Sequence, residues 1–397
     1  MPTTPATFTD LGLAPAILAG VTEAGFTVPS PIQALAIPIA LQGRDLIAQA
    51  RTGTGKTAAF GLPAMSRLLE NGVPKRGVGL LVITPTRELC AQVSEEIYRL
   101  GRHAGIKTCA VYGGTSGGRQ LEMIARGANV VVATPGRLLD HLSSGYLKNF
   151  APSTVVLDEA DEMLDMGFLE DIEAIFKHLP AERQTMLFSA TMPPAIRGLA
   201  TRILKNPETI DLTTGTVFET DVEQRFYVIE EGERGDAIMR LIDADEPEKA
   251  IVFCRTRIET EHLCDVLIAH GCSAKALHGD IDQSMRQNTL RSFREGRMSI
   301  LVATDVAARG LDVSDVTHVY NFHLPFDQEA YVHRIGRTGR AGRKGIAITL
   351  VTPFEYRKLR RIQSAIKASF VAGEIPTIGD VRKKHEAKLV AVVCKQP

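Results

Sequence analysis

The segment from Ala50 to Thr57 has the composition and order of a phosphate-binding loop. It reads ARTGTGKT and lies between a strand-like run and a helical pattern. In such a loop, backbone N–H groups and the positive end of the next helix hold phosphate oxygens, Lys56 reaches the outer phosphates and the Thr57 hydroxyl meets Mg²⁺. Ala50 replaces the first glycine of the strict pattern, so a glycine-containing turn without a ligand is the alternative. Contacts with the nucleotide are expected from Thr52, Gly53, Thr54, Gly55, Lys56 and Thr57.

A run of carboxylates follows the apolar segment 155–157, at Asp158, Glu159 and Asp161. If that segment is a parallel strand, the carboxylates emerge at its carboxyl end, where open α/β sheets bind ligands. Asp158 is then the metal-side carboxylate, and Glu159 orients and deprotonates the water that attacks the γ-phosphate. An acidic helix start favoured by the helix dipole is the alternative.

The segment 333–340, HRIGRTGR, spaces its arginines three residues apart among small residues. Arg337 and Arg340 can therefore project together. Guanidinium groups of this kind neutralise charge that develops on a transferring γ-phosphoryl group, and their supply from another domain makes hydrolysis depend on domain closure. A basic helix face or a nucleic-acid patch is the alternative.

The elements that must position these residues are strands and helices in alternation. Short β-branched runs alternate with longer helical stretches, and several runs are apolar on both faces, as strands of a covered parallel sheet are. The expected strands are 45–49, 80–84, 109–112, 130–133, 155–157 and 185–188, then 226–229, 250–254, 273–277, 300–303, 316–321 and 347–351. The pattern predicts an α/β fold with two open, mainly parallel sheets flanked by helices.

The Thr-rich segment 211–221 lacks both hydrophobic periods and any basic residue, which is typical of a flexible linker. We therefore expect a first domain over 1–213, a second over 214–370 and a short basic tail over 371–397. Residues 357–370 predict an amphipathic helix that closes the second domain, with a basic face that solvation alone would explain.

The composition of the chain argues against wholesale disorder, a collagenous repeat and a coiled-coil rod. At 397 residues, with 23% charged and 44% hydrophobic residues, the chain is a folded protein of two or three domains. Lys plus Arg and Asp plus Glu both number 46, so a polyanion must be held by a local groove. The six cysteines form no Cys-x-x-Cys pair, which favours a reducing compartment. No basic residue precedes Arg44 and no apolar run could span a membrane, so we expect a cytoplasmic protein.

Taken in order, these motifs resemble the DEAD-box family of ATP-dependent RNA helicases, within helicase superfamily two. The tetrapeptide at 158–161 gives that family its name, and the match runs from Phe8 to about Thr349. The resemblance implies two tandem RecA-like domains, ATP and Mg²⁺ as cofactors and RNA as partner. LLDHL at 138 and DEADEMLDMGF at 158 are most similar to bacterial cold-shock and ribosome-assembly members. Ribosome-assembly or RNA-decay proteins are then candidate partners.

The resemblance also assigns residues to the base, the ribose and the coupling of hydrolysis to strand separation. Gln33 would hydrogen-bond adenine and Phe8 would stack on it, which predicts ATP over GTP. The residues alone favour a packing anchor for Phe8 and a solvated Gln33. Gly310 and Asp312 would contact ribose and phosphate. The coupling residues would be Asp161, Ser189, Thr191 and His333.

The family's RNA motifs fall on loops and helix starts in both halves. Their short hydroxyls, backbone N–H groups and arginines suit phosphates and sugars better than base edges, so sequence-independent binding is expected. Because the chain has no Trp, we expect backbone tracking instead of base stacking, with the 2′-hydroxyl distinguishing RNA from DNA. An ordinary turn or helix cap is the alternative for each. The residues are Pro85, Thr86, Arg87, Gly114, Thr134, Gly136, Arg137, Arg257, Gln283, Arg286 and Thr304.

The sequence therefore predicts an RNA-dependent ATPase that unwinds short RNA duplexes locally or remodels RNA–protein complexes. An ATP-gated RNA clamp with little unwinding would use the same motifs and stays an alternative. A DNA-translocating ATPase of the same superfamily is disfavoured by Gln33 and the DEAD motif.

Overall fold

The structure is a computed structural model that describes residues 7–50, 53–72, 77–147, 150–212, 222–308, 313, 316–339, 343–366 and 368–393. It divides into two compact units, one on either side of residues 213–221. The boundary predicted between 213 and 214 lies outside the described residues.

The first unit alternates strands and helices. Its strands are β1 (Leu46–Gln49), β2 (Leu80–Ile83), β3 (Thr108–Val111), β4 (Val130–Ala133), β5 (Thr154–Leu157), β6 (Gln184–Ser189) and β7 (Glu208–Asp211). Its helices are α1 (Pro15–Glu23), α2 (Pro31–Leu41), α3 (Lys56–Glu70), α4 (Arg87–Gly101), α5 (Gly117–Ala125), α6 (Pro135–Ser143), α7 (Ala160–Asp165), α8 (Leu169–Lys177) and α9 (Pro194–Ile203). Two short 3₁₀ helices cover Phe8–Leu11 and Arg102–Ala104.

The second unit repeats the alternation. Its strands are β8 (Val222–Val228), β9 (Ala250–Cys254), β10 (Ala274–Leu277), β11 (Ile300–Thr304), β12 (His318–Asn321), β13 (Gly345–Val351) and β14 (Phe370–Gly373). Its helices are α10 (Arg234–Asp245), α11 (Arg257–Ala269), α12 (Gln283–Arg294), α13 (Asp305–Ala308), α14 (Gln328–Ile335), α15 (Tyr356–Ile366) and α16 (Ile378–Val393), with a 3₁₀ helix at Glu231–Glu233.

The two sheets have the same topology. Their strand orders are β3-β4-β2-β5-β6-β1-β7 and β10-β11-β9-β12-β13-β8-β14, so the second order is the first with every strand number raised by seven. Every pairing between the named strands is parallel. Because parallel strands end at the same edge, the loops that leave them gather along that edge. The predicted pair of open α/β sheets is confirmed.

Helices cover both faces of each sheet, as predicted from the runs that are apolar on both faces. On β6, Phe188 packs in the cluster that contains Phe60 of α3, whereas Leu187 packs in the cluster that contains Ile196 of α9. Alternate residues of one strand therefore face opposite cores, which is why these runs show no polar alternation. Within the described residues, no helix combines the length and apolar character that a membrane crossing demands.

Two strands are found only in the structure. β7 and β14 occupy corresponding positions at the ends of their sheets, beside β1 and β8. Most of their residues are partly or fully exposed; β7 has no apolar run, and the apolar start of β14 was assigned to the end of the predicted closing helix.

The end of the second unit differs from the prediction. The closing helix α15 ends at Ile366, and Phe370, predicted as its last residue, begins β14 and stacks on Tyr331 at 5.4 Å. β14 pairs with β8, and α16 packs on α10. The boundary predicted at 370 therefore cuts through the start of a strand, and the described part of the predicted tail belongs to the second unit.

Candidate functional site

The phosphate loop connects β1 to α3 at the carboxyl edge of the first sheet. Gly53 and Gly55 have φ of 79° and 84°, a left-handed conformation that glycine adopts without steric cost. Lys56 begins α3 and is 6% exposed, and its Nζ has no hydrogen-bond partner. Burying an ammonium in this way is costly unless an anion meets it, so the loop fits a phosphate at the helix start. Thr52 lies outside the described residues.

Gln33 joins the phosphate loop to the start of α2. Its Oε1 accepts from the Ser30 N–H at 2.9 Å, and its Nε2 donates to the Gly55 carbonyl at 3.1 Å. The Ser30 hydroxyl donates to the Thr54 carbonyl at 2.8 Å. Gln33 is buried, so it is not the solvated residue that its position after a proline indicated. Sequence reasoning missed Ser30, although Ser-x-x-Gln before a helix is the signature of a capping box.

The contact of Gln33 with adenine stays a prediction. An amide oxygen accepts two hydrogen bonds and an amide nitrogen donates two, so each group keeps one for a base.

Phe8 lies in the core of the first unit. It is 3% exposed, and it stacks on Phe26 with 6.1 Å between ring centroids. A ring that stacks on adenine needs an uncovered face, so the packing interpretation fits this geometry better than the role that the resemblance implies. Stacking on the base stays a prediction for Phe8, and its burial argues against it.

The acidic pair Asp158 and Glu159 follows β5. In the sheet, β6 lies between β5 and β1. Asp158 is 3% exposed and its Oδ1 has no hydrogen-bond partner. Burial raises the pKa of this carboxyl, and the nearby Lys56 charge opposes the rise. Glu159 is buried with φ 54° and ψ 53°, a left-handed conformation that is strained for a glutamate and that is found most often at functional sites.

The residues present fit Mg²⁺ at the same edge. This cation prefers oxygen ligands and keeps several waters, so one or two protein oxygens beside substrate phosphates are sufficient. Asp158 Oδ1 is a buried carboxylate oxygen without a partner, and Thr57 lies on the first turn of α3, directly after Lys56.

Asp161, Ser189 and Thr191 form one hydrogen-bond network between the starts of the loops after β5 and β6. The Asp161 N–H donates to the Ser189 hydroxyl at 3.2 Å, and that hydroxyl donates to the Thr191 carbonyl at 2.7 Å. The Thr191 N–H and hydroxyl both donate to Asp161 Oδ2, at 2.8 and 3.0 Å. Three of the four predicted coupling residues are thus in direct contact, and the fourth, His333, lies in the second unit.

The other half of the same edge carries the predicted RNA residues of the first unit, on loops after β2, β4 and β3. The Thr86 hydroxyl caps α4 by accepting from the Leu89 N–H at 3.2 Å. Arg87 approaches Gly114 so closely that a Cβ at Gly114 would lie 2.6 Å from Nη1. Pro85 precedes this cap in the chain.

The loop after β4 is similar. Thr134 is the N-cap residue of α6, and Gly136 lies on its first turn. Arg137 donates to the Thr115 carbonyl at 3.1 Å, which ties this loop to the one after β3. The loops of the three neighbouring strands therefore meet at one surface.

The corresponding loops of the second unit follow β9, β10 and β11. Thr256 caps α11 in the geometry with which Thr86 caps α4, since both have φ −124° and ψ 157° and both hydroxyls accept at 3.2 Å from the N–H three residues later. Arg257 follows this cap and forms an exposed ion pair with Asp280 at 2.6 Å.

The remaining predicted RNA residues of this unit lie on α12 and at the end of β11. Gln283 begins α12, and Thr304 ends β11. Arg286 donates to the Ala307 carbonyl at 2.7 Å, which holds α12 against α13.

The predicted arginine cluster contains two described arginines with different surroundings. Arg334 is 4% exposed, donates through Nε and Nη2 to the Asp305 carboxylate at 2.5 and 2.7 Å, and also bonds the His323 carbonyl. It is a positioning residue that fixes α14 against α13. Arg337 is 6% exposed and lines a small cavity with His333. Arg340, Gly310 and Asp312 lie outside the described residues.

Comparison with protein families finds two matches. The family described as DEAD/DEAH box helicase matches residues 30–199, and the one described as helicase conserved C-terminal domain matches residues 233–342. The chain is 54% identical over 385 residues to the DEAD-box ATP-dependent RNA helicase RhpA of Helicobacter pylori, covering 96% of this chain and 77% of that protein. It is 47% identical over 374 residues to CshA of Geobacillus kaustophilus, covering 94% and 79%.

The chain is also similar to solved structures that contain bound RNA. Dbp5 of S. cerevisiae bound to RNA and ADP BeF3 matches with a TM-score of 0.86 and 32% identity, over 96% of this chain and 99% of that one. Mss116p bound to ssRNA and AMP-PNP matches with a TM-score of 0.84 and 28% identity, over 97% and 82%. These likenesses confirm that the chain contains the two RecA-like domains predicted from the sequence.

Proposed function

This chain belongs to the DEAD-box family of ATP-dependent RNA helicases, and from that premise we propose that it hydrolyses ATP in response to RNA, to unwind short RNA duplexes or remodel RNA–protein complexes. One observation carries the proposal. A buried lysine and a buried carboxylate, each with an atom that lacks a hydrogen-bond partner, lie at the same sheet edge as the RNA-type loops.

The phosphates of ATP would be bound by Lys56 and by the backbone N–H groups of residues 52–57. Gln33 holds this loop through Gly55 and would read the adenine edge with its remaining hydrogen bonds. Glu159 would take the proton of the attacking water, and its burial keeps that carboxylate away from bulk solvent. Thr57 and Asp158 would hold Mg²⁺, which neutralises phosphate charge when it is bound.

RNA would lie along the loops after β2, β4 and β3 in the first unit and after β9, β10 and β11 in the second. Helix N-termini and arginines there would contact phosphates and sugars, which gives binding without sequence preference. The Asp161–Ser189–Thr191 network physically joins the loop after β5 to the loop after β6, so a change at the nucleotide would move both together. His333 is proposed to take part in the same coupling.

The second unit would complete catalysis. Arg337 and Arg340 are proposed to stabilise the charge of the transferring γ-phosphoryl group, and Gly310 and Asp312 to contact the nucleotide. We further propose a cytoplasmic location and partners in ribosome assembly or RNA decay, on the basis of the similarity of LLDHL at 138 and DEADEMLDMGF at 158 to bacterial cold-shock and ribosome-assembly members.

Steady-state ATP hydrolysis tests this function. The protein is assayed without nucleic acid, with unstructured RNA and with DNA of matching sequence, and Lys56→Ala provides the blank. We expect strong stimulation by RNA alone. Equal stimulation by DNA would contradict the role of the 2′-hydroxyl, and hydrolysis that no nucleic acid stimulates would contradict an RNA-dependent ATPase.

A further inference from the structure

A groove in the second unit opens between the first turns of α14 and α15. Its volume is about 740 Å³, and it is open to solvent. Phe326 and Phe354 line it with 88% and 97% of their surfaces exposed, the largest exposed fractions of any large hydrophobic residue that the structure describes. Aromatic rings left in water beside a cavity of this size mark an interaction surface.

The charge of the groove favours an anionic ligand. Arg357, Lys358 and Arg361 line it from α15, whereas Asp327 and Glu329 are its acidic residues. The Asp327 carboxylate already accepts from the Ala330 N–H at 2.7 Å, as the cap of α14. The Lys358 ammonium lies 4.9 Å from the centroid of the Phe326 ring, so cation and ring are presented side by side.

The groove adjoins the loop that is proposed to bind RNA. It opens where β12 and β13 end, and β12 is the neighbour of β9. In the loop after β9, Arg255 pairs at 3.4 Å with Glu355, which directly follows Phe354 in the chain. One strand of RNA could therefore pass from the Arg257 loop into the groove without leaving the carboxyl edge of this sheet.

We propose that this groove is a further RNA subsite, in which Phe326 and Phe354 stack on bases of a single strand while Arg357 and Arg361 contact its phosphates. A basic groove with aromatic side chains is the usual means of holding single strands without sequence preference. The proposal rests on the proposed function, since it extends the row of loops that is proposed there to bind RNA, here called the RNA track. It adds base stacking to a track for which the sequence predicts backbone contacts alone.

RNA is favoured over a protein partner for two reasons. Basic side chains outnumber acidic ones in the groove, and the groove is tied by an ion pair to a loop already proposed to bind RNA. A protein partner with an acidic segment is the competing occupant.

The test uses single-stranded RNAs lengthened one nucleotide at a time at either end, with binding to the full chain measured by fluorescence anisotropy. At the length that reaches the groove, affinity should rise by about 5-fold or more, the lower limit for one stacked base. Phe326→Ala/Phe354→Ala should abolish that rise, and so should abasic nucleotides at the added positions. Tyr146→Ala is the matched control, because this aromatic residue is 72% exposed in the first unit and should leave the rise unchanged.

The salt dependence supplies a second readout. Replacing Arg357 and Arg361 by Gln should lower the slope of log affinity against log salt by about 1.4 for the longer RNAs, because each phosphate contact on a single strand contributes roughly 0.7. The slope for the shortest RNAs should not change.

The proposal is overturned if the phenylalanine variant shows the same length dependence as the parent chain, or if abasic nucleotides bind as well as normal ones. Either result would favour a protein partner as the ligand of the groove. Stimulation of ATP hydrolysis by the shortest RNAs reports on the proposed function separately, since those RNAs do not reach the groove.

Discussion

Glu159 combines burial with a strained backbone at the end of β5. A non-glycine residue in the left-handed region costs of order 1–3 kcal/mol, which persists only where the surrounding structure imposes it. Glu159→Gln keeps the shape of the side chain but removes the base. We expect hydrolysis to fall by about 100-fold or more, with ATP affinity nearly unchanged and RNA retained in the ATP state.

Single-turnover hydrolysis and ATP binding measure this effect. Glu122→Gln is the control, because it makes the same chemical change at an exposed ion pair on α5. A Glu159→Gln protein that turned over ATP at the normal rate would remove Glu159 from its proposed role.

Thr191 contributes two hydrogen bonds to Asp161 Oδ2, one from its backbone and one from its hydroxyl. Thr191→Val deletes only the hydroxyl bond. We expect the unwinding rate of a short duplex to fall about tenfold, as the loss of roughly 1.5 kcal/mol at a charged acceptor implies, while RNA-stimulated hydrolysis persists. Thr191→Ser restores the hydroxyl and should restore unwinding, and equal losses of both activities would argue against a coupling role.

At the scale of elements, the start of α3 depends on a glycine for two independent reasons. Gly55 has φ 84°, and a Cβ there would lie 2.4 Å from Gln33 Nε2. Gly72, just after the end of the same helix, has φ 83°, but a Cβ there would meet nothing within 4 Å. Substitution of Gly72 by alanine would therefore introduce backbone strain alone, whereas the same substitution at Gly55 would add a clash with Gln33.

Both Gly55→Ala and Gly72→Ala should lower the free energy of unfolding, by about 1–2 kcal/mol of left-handed strain. Gly55→Ala alone should also displace Gln33 and weaken ATP binding, by an expected tenfold or more. Thermal unfolding and nucleotide titration measure the two effects. Normal ATP affinity in Gly55→Ala would show that the Gln33 contact does not position the loop.

At the scale of the whole molecule, the repeated topology does not repeat the nucleotide site. The connection from β8 to α10 corresponds to the phosphate loop between β1 and α3. That connection carries Glu230, Glu231 and Glu233, and Arg234, which begins α10 as Lys56 begins α3, is already paired with Glu231 and Glu355. Carboxylates at that position repel phosphate, whereas the loop in the first unit attracts it.

We therefore expect one ATP per chain. Calorimetric titration with a non-hydrolysable analogue should give a stoichiometry of about one, and Lys56→Ala should abolish the binding. A second site that survived in Lys56→Ala would show that the second unit binds nucleotide by itself.

The sequence by itself determined the local features of this protein. Short β-branched runs predicted twelve of the strands, and several of these runs are apolar on both faces because a strand covered by helices on both sides needs such a run. Residue order alone also predicted the phosphate loop, the acidic pair and the hydroxyl-bearing loops, since glycine conformation, helix capping and charge are properties of short segments. β7 was not predicted because Glu208–Asp211 buries a single side chain, and β14 was not predicted because Phe370 was assigned to the end of the preceding helix.

Only the tertiary structure decided which side chains are buried and which distant residues meet. Gln33 reaches Gly55 across 22 positions, and Arg334 reaches Asp305 across 29, with no local signal for either contact. No local signal indicates side-chain exposure either, since Phe8 is buried in the core whereas Phe326 and Phe354 are exposed to solvent. A short pattern records what a segment prefers, but burial is set by the neighbours that the whole chain packs around each side chain.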